Sequence, residues 1–218
     1  MDFNVLATGS SGNCVIINKS IAIDIGVPFK ALEGVKKDLR LVLLTHAHGD
    51  HFNRRTVRAL HKERPALRWG CCEWMVGPLL EAGVDKRAID VFTPGFCAIY
   101  KGLCKVMPEG LTHDVPNCGY HIWSGNDSLF YATDASTLDG IEAPNYDLYL
   151  IEANHTRAEL EERAAAKRAA GEYAYEYRAA ANHLSQEQAL DWLYRQMGPH
   201  SQYVFLHQHQ ERSKDDAQ

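Results

Sequence analysis

Three histidines and an aspartate fall within six consecutive positions. His46, His48, Asp50 and His51 stand in the run LVLLTHAHGDH, residues 41–51. Imidazole binds borderline divalent cations well, and carboxylate adds the charge such ions favour. The apolar residues before Thr45 predict a strand. His46 and His48 then project to one side of an extended segment, and a turn at Gly49 carries Asp50 and His51 to a second point nearby. This spacing suits two metal ions rather than one, and burying the four groups without partners would be costly. Two ions about 4 Å apart need more donors than one loop holds. Three more donors each follow an apolar, strand-like run: His113 in GLTHDVP, Asp134 in FYATDAS and His207 in YVFLHQH. Asp134 suits a bridging role, because one carboxylate can bind two ions. The last donor is either His207 or His209. His207 is preferred because it directly follows the apolar run.

These donors need a scaffold. Short apolar or alternating segments predict strands over residues 2–6, 14–17, 21–25, 39–44, 88–92, 97–100, 103–107, 119–124, 128–132, 147–151 and 203–206. Helices are predicted over 28–35, 53–63, 72–82 (closed by Gly83), 158–180 and 186–197. Pro28 fits the first position of a helix. Ser185 and Gln188 form a capping box. Strands come first, in hairpins, with helices interleaved and then gathered toward the carboxyl end. This is an α/β pattern without regular βαβ order. It suits two mixed sheets face to face with helices outside, in one domain over 1–210, followed by a polar tail over 211–218.

Composition narrows the function. The chain has 218 residues, is 45% hydrophobic and carries a formal net charge of -5. That balance argues against a protein that wraps nucleic acid nonspecifically. It leaves room for an enzyme that grips one phosphodiester through metal ions. The amino end lacks a basic run followed by an apolar stretch, and no apolar run approaches the length of a membrane span. The six cysteines (Cys14, Cys71, Cys72, Cys97, Cys104 and Cys118) form no C-x-x-C pair and read as free thiols. The expectation is a cytoplasmic protein with no membrane partner.

The run from His46 to His51 resembles the H-x-H-x-D-H signature of the metallo-β-lactamase fold, and His113, Asp134 and His207 follow in family order. The resemblance implies a four-layer αβ/βα sandwich of two mixed β-sheets with outer helices, and an active site along one edge. It implies that His46, His48 and His113 hold a first metal ion. Asp50, His51 and His207 hold a second, and Asp134 bridges them. Zinc is the first choice of ion and manganese the second.

Three further stretches narrow the branch. TGSSGN, residues 8–13, is similar to the opening of the YycJ/WalJ exonuclease-like group. EANH, residues 152–155, and NHLS, residues 182–185, resemble segments of that group and of ribonuclease Z. The resemblance implies that His183 approaches a scissile phosphate and that Glu152 orients it. Asn182 stands where the group has glycine. The first turn of a helix suits an anion in any case. Asp50, Glu152 and His183 are thus the candidate catalytic residues, and His155, Asn182 and Ser185 candidate substrate contacts. His61 and His121 read as structural, and His200 and His209 as exposed.

The expected activity is a dinuclear metal-dependent phosphodiesterase or nuclease acting on DNA ends. Metal-activated hydroxide would attack phosphorus. A small cyclic-nucleotide phosphodiesterase is an alternative with the same chemistry. A thioester or lactone hydrolase like glyoxalase II is a rival with carbonyl chemistry, and a non-catalytic metal-binding protein is another. The glycine- and proline-rich arm of transfer-RNA processing enzymes is missing between Asp134 and His183. Tyr173, Tyr175 and Tyr177 are candidates for a homodimer face.

Overall fold

Leu41 and Leu43 point into one apolar core while Val42 and Leu44 point into another, so the strand that leads to His46 is covered on both faces. The structure is a computed structural model that describes residues 1–171 and 181–208. Tyr173, Tyr175, Tyr177, His209 and the polar tail lie outside the described residues.

The first sheet has six strands in sequence order: β1 (Phe3–Ala7), β2 (Cys14–Ile17), β3 (Ile21–Ile23), β4 (Leu41–Leu44), β5 (Arg68–Cys72) and β6 (Ile89–Phe92). The first three pair antiparallel and β3 to β6 run parallel. The second sheet holds β7 (Ala98–Tyr100), β8 (Cys104–Leu111), β9 (Asn117–Ser124), β10 (Asp127–Ala132), β11 (Leu148–Glu152) and β12 (Gln202–Leu206), again in order. Here β7 to β10 pair antiparallel and β10 to β12 parallel. Both sheets are mixed, as expected from the strand pattern.

Three apolar clusters define four layers. Ile17, Ile21, Ile23, Leu41 and Leu43 meet Val106, Tyr120, Ile122, Leu129 and Leu150 between the sheets. Outside the first sheet, Val42, Leu44 and Trp69 pack on Val57 and Leu60 of α1 (Arg54–Glu63) and Leu79 of α2 (Val76–Ala82). Outside the second, Phe130, Tyr149 and Ile151 pack on Ala189, Trp192 and Leu193 of α4 (Gln186–Gln196). Helix α3 (Arg157–Ala169) begins at a capping box of Thr156 and Glu159, and α4 at the expected box of Ser185 and Gln188.

Three stretches differ from the sequence reading, the first being the helix expected over 158–180, which ends at Ala169 before Gly171 turns the chain at φ 72°. Residues 68–72 form β5, where no strand was expected, and the helix begins only at Val76 after a 3-10 turn, Glu73–Met75. Arg68 and Gly70 disguise the strand. Gly70 is needed there, since a Cβ would lie 2.5 Å from the Phe92 ring. The helix expected from Pro28 is a single 3-10 turn, Phe29–Leu32.

The topology gathers the site. Strands β8 and β10 both run antiparallel to β9, so they share a direction with β11 and β12. The chain leaves β8, β10 and β12 toward His113, Asp134 and His207 at one edge of that sheet. Across the sandwich, β4 ends two residues before His46. Ligands commonly sit beyond the carboxyl ends of such strands. Among the described residues no helix is long and apolar enough to cross a membrane.

Candidate metal centre

Asp24 fixes the start of the histidine loop. It follows β3, is fully buried, and takes a left-handed backbone conformation with φ 59°. Its carboxylate accepts the Thr45 amide at 2.9 Å and the Thr45 hydroxyl at 2.9 and 3.0 Å. The same carboxylate lies 2.7 Å from His51 Nδ1. A carboxylate can only accept, so His51 carries its hydrogen on Nδ1 and turns Nε2 toward the site. The Thr45 hydroxyl also lies 2.9 Å from His46 Nδ1.

Two donor groups result. His46 Nε2 lies 3.1 Å from His48 Nδ1, and that atom lies 3.4 Å from His113 Nε2. These three imidazoles form one pocket, with His48 at its exposed mouth and the other two buried. The Asn182 carbonyl is 3.3 Å from His113 Nδ1 and sets that ring. In the second group, Asp50 Oδ2 is 3.6 Å from His51 Nε2 and 3.5 Å from His207 Nε2. Asp134 stands between the groups. Its Oδ2 is 2.8 Å from His51 Nε2, and its Oδ1 is 3.5 Å from His207 Nε2 and 4.0 Å from His113 Nε2.

Asp134 and His207 both adopt left-handed backbone conformations, φ 57° and 51°. Neighbours hold these unfavourable geometries. Asn117 donates to the carbonyls of Thr133 and Asp134 at 3.0 and 2.7 Å. The His207 amide donates to Thr8 Oγ1 at 2.7 Å, and Asn154 donates to its carbonyl at 2.9 Å.

The donor set fits divalent cations. Every ligand atom in the triplets His46/His48/His113, His46/His51/Asp134 and Asp50/His51/His207 lies within 4.8 Å of its fellows. Asp134 Oδ2 and His207 Nε2 are buried atoms with no hydrogen-bond partner. The 2.8 Å approach of His51 Nε2 to Asp134 Oδ2 is thus a close contact outside hydrogen-bond geometry, which a shared cation would relieve. Buried polar groups ordinarily find partners, so orphans that converge from separate strands mark a binding position. Burial, reinforced by the neighbouring His51, holds His46 down to about 2, neutral and with its lone pair available. Burial alone would lower His207 as well. The neighbouring Asp50 and Glu152 carboxylates outweigh it and push His207 up to about 10.

Glu152 ends β11, fully buried, beside this centre. Its Oε1 is 2.6 Å from His183 Nδ1 and 3.2 Å from His207 Nδ1. Its Oε2 accepts the amides of Ala135 and Leu184 at 3.0 and 3.2 Å. Burial opposes a charge on His183, but the Glu152 carboxylate raises it above the ordinary imidazole value. The His183 ring stacks on His207, with centroids 5.2 Å apart, and remains partly exposed.

The other expected contacts are placed as follows. Asn182 reaches the site through its carbonyl. The Ser185 hydroxyl accepts the Gln188 amide as a helix cap and is buried. His155 is buried, bridging to Ser185 through the backbone. His61 accepts the Asp85 amide, His121 is buried against Phe130 and Tyr146 with the Glu109 carboxylate 3.5 Å from its Nε2, and His200 is exposed. The sequence reading missed Asp24, Thr45 and Asn117 as supports. The available signal for Asp24 was a carboxylate inside the apolar run IAIDI.

A family described as the "Beta-lactamase superfamily domain" matches residues 24–207. The exodeoxyribonuclease WalJ of Streptococcus pneumoniae serotype 2 is 26% identical over 224 residues, covering 94% of this chain and 80% of that protein. The exodeoxyribonuclease YycJ of Bacillus anthracis is 26% identical over 174 residues, covering 71% of this chain. The match spans only 63% of the YycJ length. The crystal structure of the metallo-β-lactamase fold protein YhfI from Bacillus subtilis superposes with a TM-score of 0.73 at 16% identity, covering 98% of this chain and 88% of that one. From the matched span, the paired mixed sheets and the clustered strand-end donors, the chain belongs to the β-lactamase superfamily and has the metallo-β-lactamase fold.

Proposed function

We propose that this protein is a metal-dependent phosphodiesterase acting on nucleic-acid ends, with DNA as the first-choice substrate. His46, His48 and His113 would hold one divalent ion, Asp50, His51 and His207 the other, and Asp134 both, with zinc preferred over manganese. Such ions, when bound, lower the pKa of water and stabilise charge on phosphoryl oxygens.

The observation that carries the reading is the 2.6 Å contact between His183 Nδ1 and Glu152 Oε1. Asp134, Glu152, His183 and His207 also lie within 4.8 Å of one another, but Glu152 already accepts two backbone amides and faces the Nδ1 atoms of His183 and His207, so we assign the pair to the substrate rather than to an ion. With Nδ1 committed to Glu152, His183 presents Nε2 at the open side of the centre. There it stabilises negative charge on a phosphoryl oxygen or gives a proton to the leaving oxygen. Glu152 orients the ring and keeps it cationic. Asp50 orients the attacking water while serving as a ligand. The family relatives named as exodeoxyribonucleases support phosphorus as the target.

His183→Ala tests this. The expected result is a loss of about 100-fold in phosphodiester hydrolysis with metal content unchanged. A substrate panel of bis(p-nitrophenyl) phosphate, end-labelled DNA and RNA, a cyclic mononucleotide, a thioester and a lactone identifies the bond attacked. Full activity of the variant, or turnover confined to the thioester or lactone, would transfer the site to carbonyl chemistry. The net charge of -5 favours a short substrate over a long duplex, and the cyclic mononucleotide reads that alternative.

A further inference from the structure

Among the described residues, the TGSSGN turn makes its hydrogen bonds to the second donor group, through Thr8 to His207 and through Asn13 to Asp50 and His51. Asn13, its last residue, is buried. Its Oδ1 accepts the Gly9 amide at 2.8 Å, which fixes which way the side-chain amide faces. Nδ2 then lies 3.1 Å from the Gly9 carbonyl, 3.3 Å from the Asp50 carbonyl, 3.2 Å from Asp50 Oδ2 and 2.8 Å from His51 Nε2. The backbone joins the same clasp. The Asn13 amide donates to the Asp50 carbonyl at 2.6 Å, and Gly26 donates to the Asn13 carbonyl at 2.9 Å.

Three chain segments cross here with no spare room. A Cβ on Gly26 would lie 1.7 Å from the Asp50 carbonyl oxygen and 2.8 Å from the Asn13 nitrogen. A Cβ on Gly12 would lie 2.9 Å from the Gly26 oxygen, and Gly12 has φ 152°. The two glycines let the turn close on the Asp50–His51 segment. Among the described residues, no hydrogen bond joins Asn13 to His46, His48 or His113.

We infer that Asn13 is a positioning residue for the second ion alone. Its amide holds the Asp50 carboxylate in place and lies against the lone pair that His51 Nε2 would give to a cation. His51 is thus gripped from both sides, with Asp24 on Nδ1 and Asn13 beside Nε2. When a cation takes the Nε2 lone pair, the Asn13 donor remains with Asp50. This rests on the two-ion reading above. It adds that the two ions depend on different supports, and that the amino-terminal turn governs one of them.

The test is a zinc titration of the chelator-stripped full chain by calorimetry, with the melting temperature of the metal-free protein measured beside it. Groups that orient metal ligands typically change affinity by about 10–100-fold when removed. Asn13→Ala should weaken one of the two binding steps by at least about 10-fold and leave the other at its wild-type affinity. Asn13→Asp keeps the acceptor for Gly9, and so the turn, but replaces the donor with a carboxylate facing Asp50. It should also change that one step alone, and it carries the test if the alanine variant does not fold. Two unchanged steps in both variants would overturn the inference. So would two steps that weaken together with the metal-free melting temperature, since that is loss of structure only. A wild-type titration with no second step would remove the two-ion reading, and the inference with it.

Discussion

His183 Nδ1 sits 2.6 Å from Oε1 of Glu152, a carboxylate with no solvent exposure whose other oxygen holds two backbone amides. The pair joins the end of β11 to the segment before α4, and it places beside the metal donors a ring that burial disfavours as a cation but the Glu152 carboxylate favours more strongly. Glu152→Gln keeps the shape but removes the charge that sustains the imidazolium. The expected outcome is a fall in kcat of about 10-fold or more with little change in bound metal. Steady-state kinetics alongside metal analysis checks it. Loss of metal in proportion to loss of rate would mean that Glu152 supports the centre rather than His183.

Stripping the metal should remove activity and lower stability together. The buried atoms Asp134 Oδ2 and His207 Nε2 have no hydrogen-bond partner, and bound cations would supply one. Ions that bind the folded chain preferentially stabilise it, by about 2.7 kcal/mol at 100 times Kd. Melting should therefore fall on chelation and recover with zinc or manganese. A melting temperature unaffected by either ion would count against the centre.

His121 gives a pH prediction away from the site. It packs against Phe130 and Tyr146, whose hydroxyl lies 3.0 Å from Nδ1, and its Nε2 has no hydrogen-bond partner. Burial pushes it down to about 4 from the ordinary 6.5. The folded state therefore takes up this proton less readily than the unfolded chain. Stability from this residue is intact above pH 6.5 and is lost as the pH falls toward 4, by up to about 1.4 kcal/mol per pH unit. Urea unfolding at pH 7 and pH 5 should show a smaller drop for His121→Phe than for the parent. Equal drops would show that His121 does not titrate as its burial requires.

Gly70→Ala tests the disguised strand. The added methyl would meet the Phe92 ring at 2.5 Å, between β5 and β6. Overpacking of this kind costs about 1–3 kcal/mol. The denaturation midpoint should fall while kcat of the folded enzyme holds, because the contact lies away from the donors. An unchanged midpoint would place Gly70 in open space.

The donors were legible because each is a charged or imidazole side chain directly after an apolar run, a position where burial demands a partner. The same logic found β4, β10, β11 and β12. It failed at β5, where Arg68 and Gly70 break the apolar pattern for reasons that lie on neighbouring strands. It failed also at Asp24, because one carboxylate after a short strand resembles any turn residue. Its partners Thr45 and His51 stand 21 and 27 positions away, and only folding brings them together. Asn13 was visible as part of a tight turn. What the turn closes on was not, since the Gly26 and Asp50 backbones that cross it are distant in sequence. His183 and Glu152 could be paired only through the resemblance to related enzymes, as nothing in their spacing links a strand end to a residue 31 positions later.

The most direct measurement is anomalous scattering from crystals grown with zinc. The account predicts two peaks, one on His46, His48 and His113 and one on Asp50, His51 and His207, with Asp134 touching both and His183 touching neither. A single peak, an empty pocket, or His183 as a ligand would contradict it.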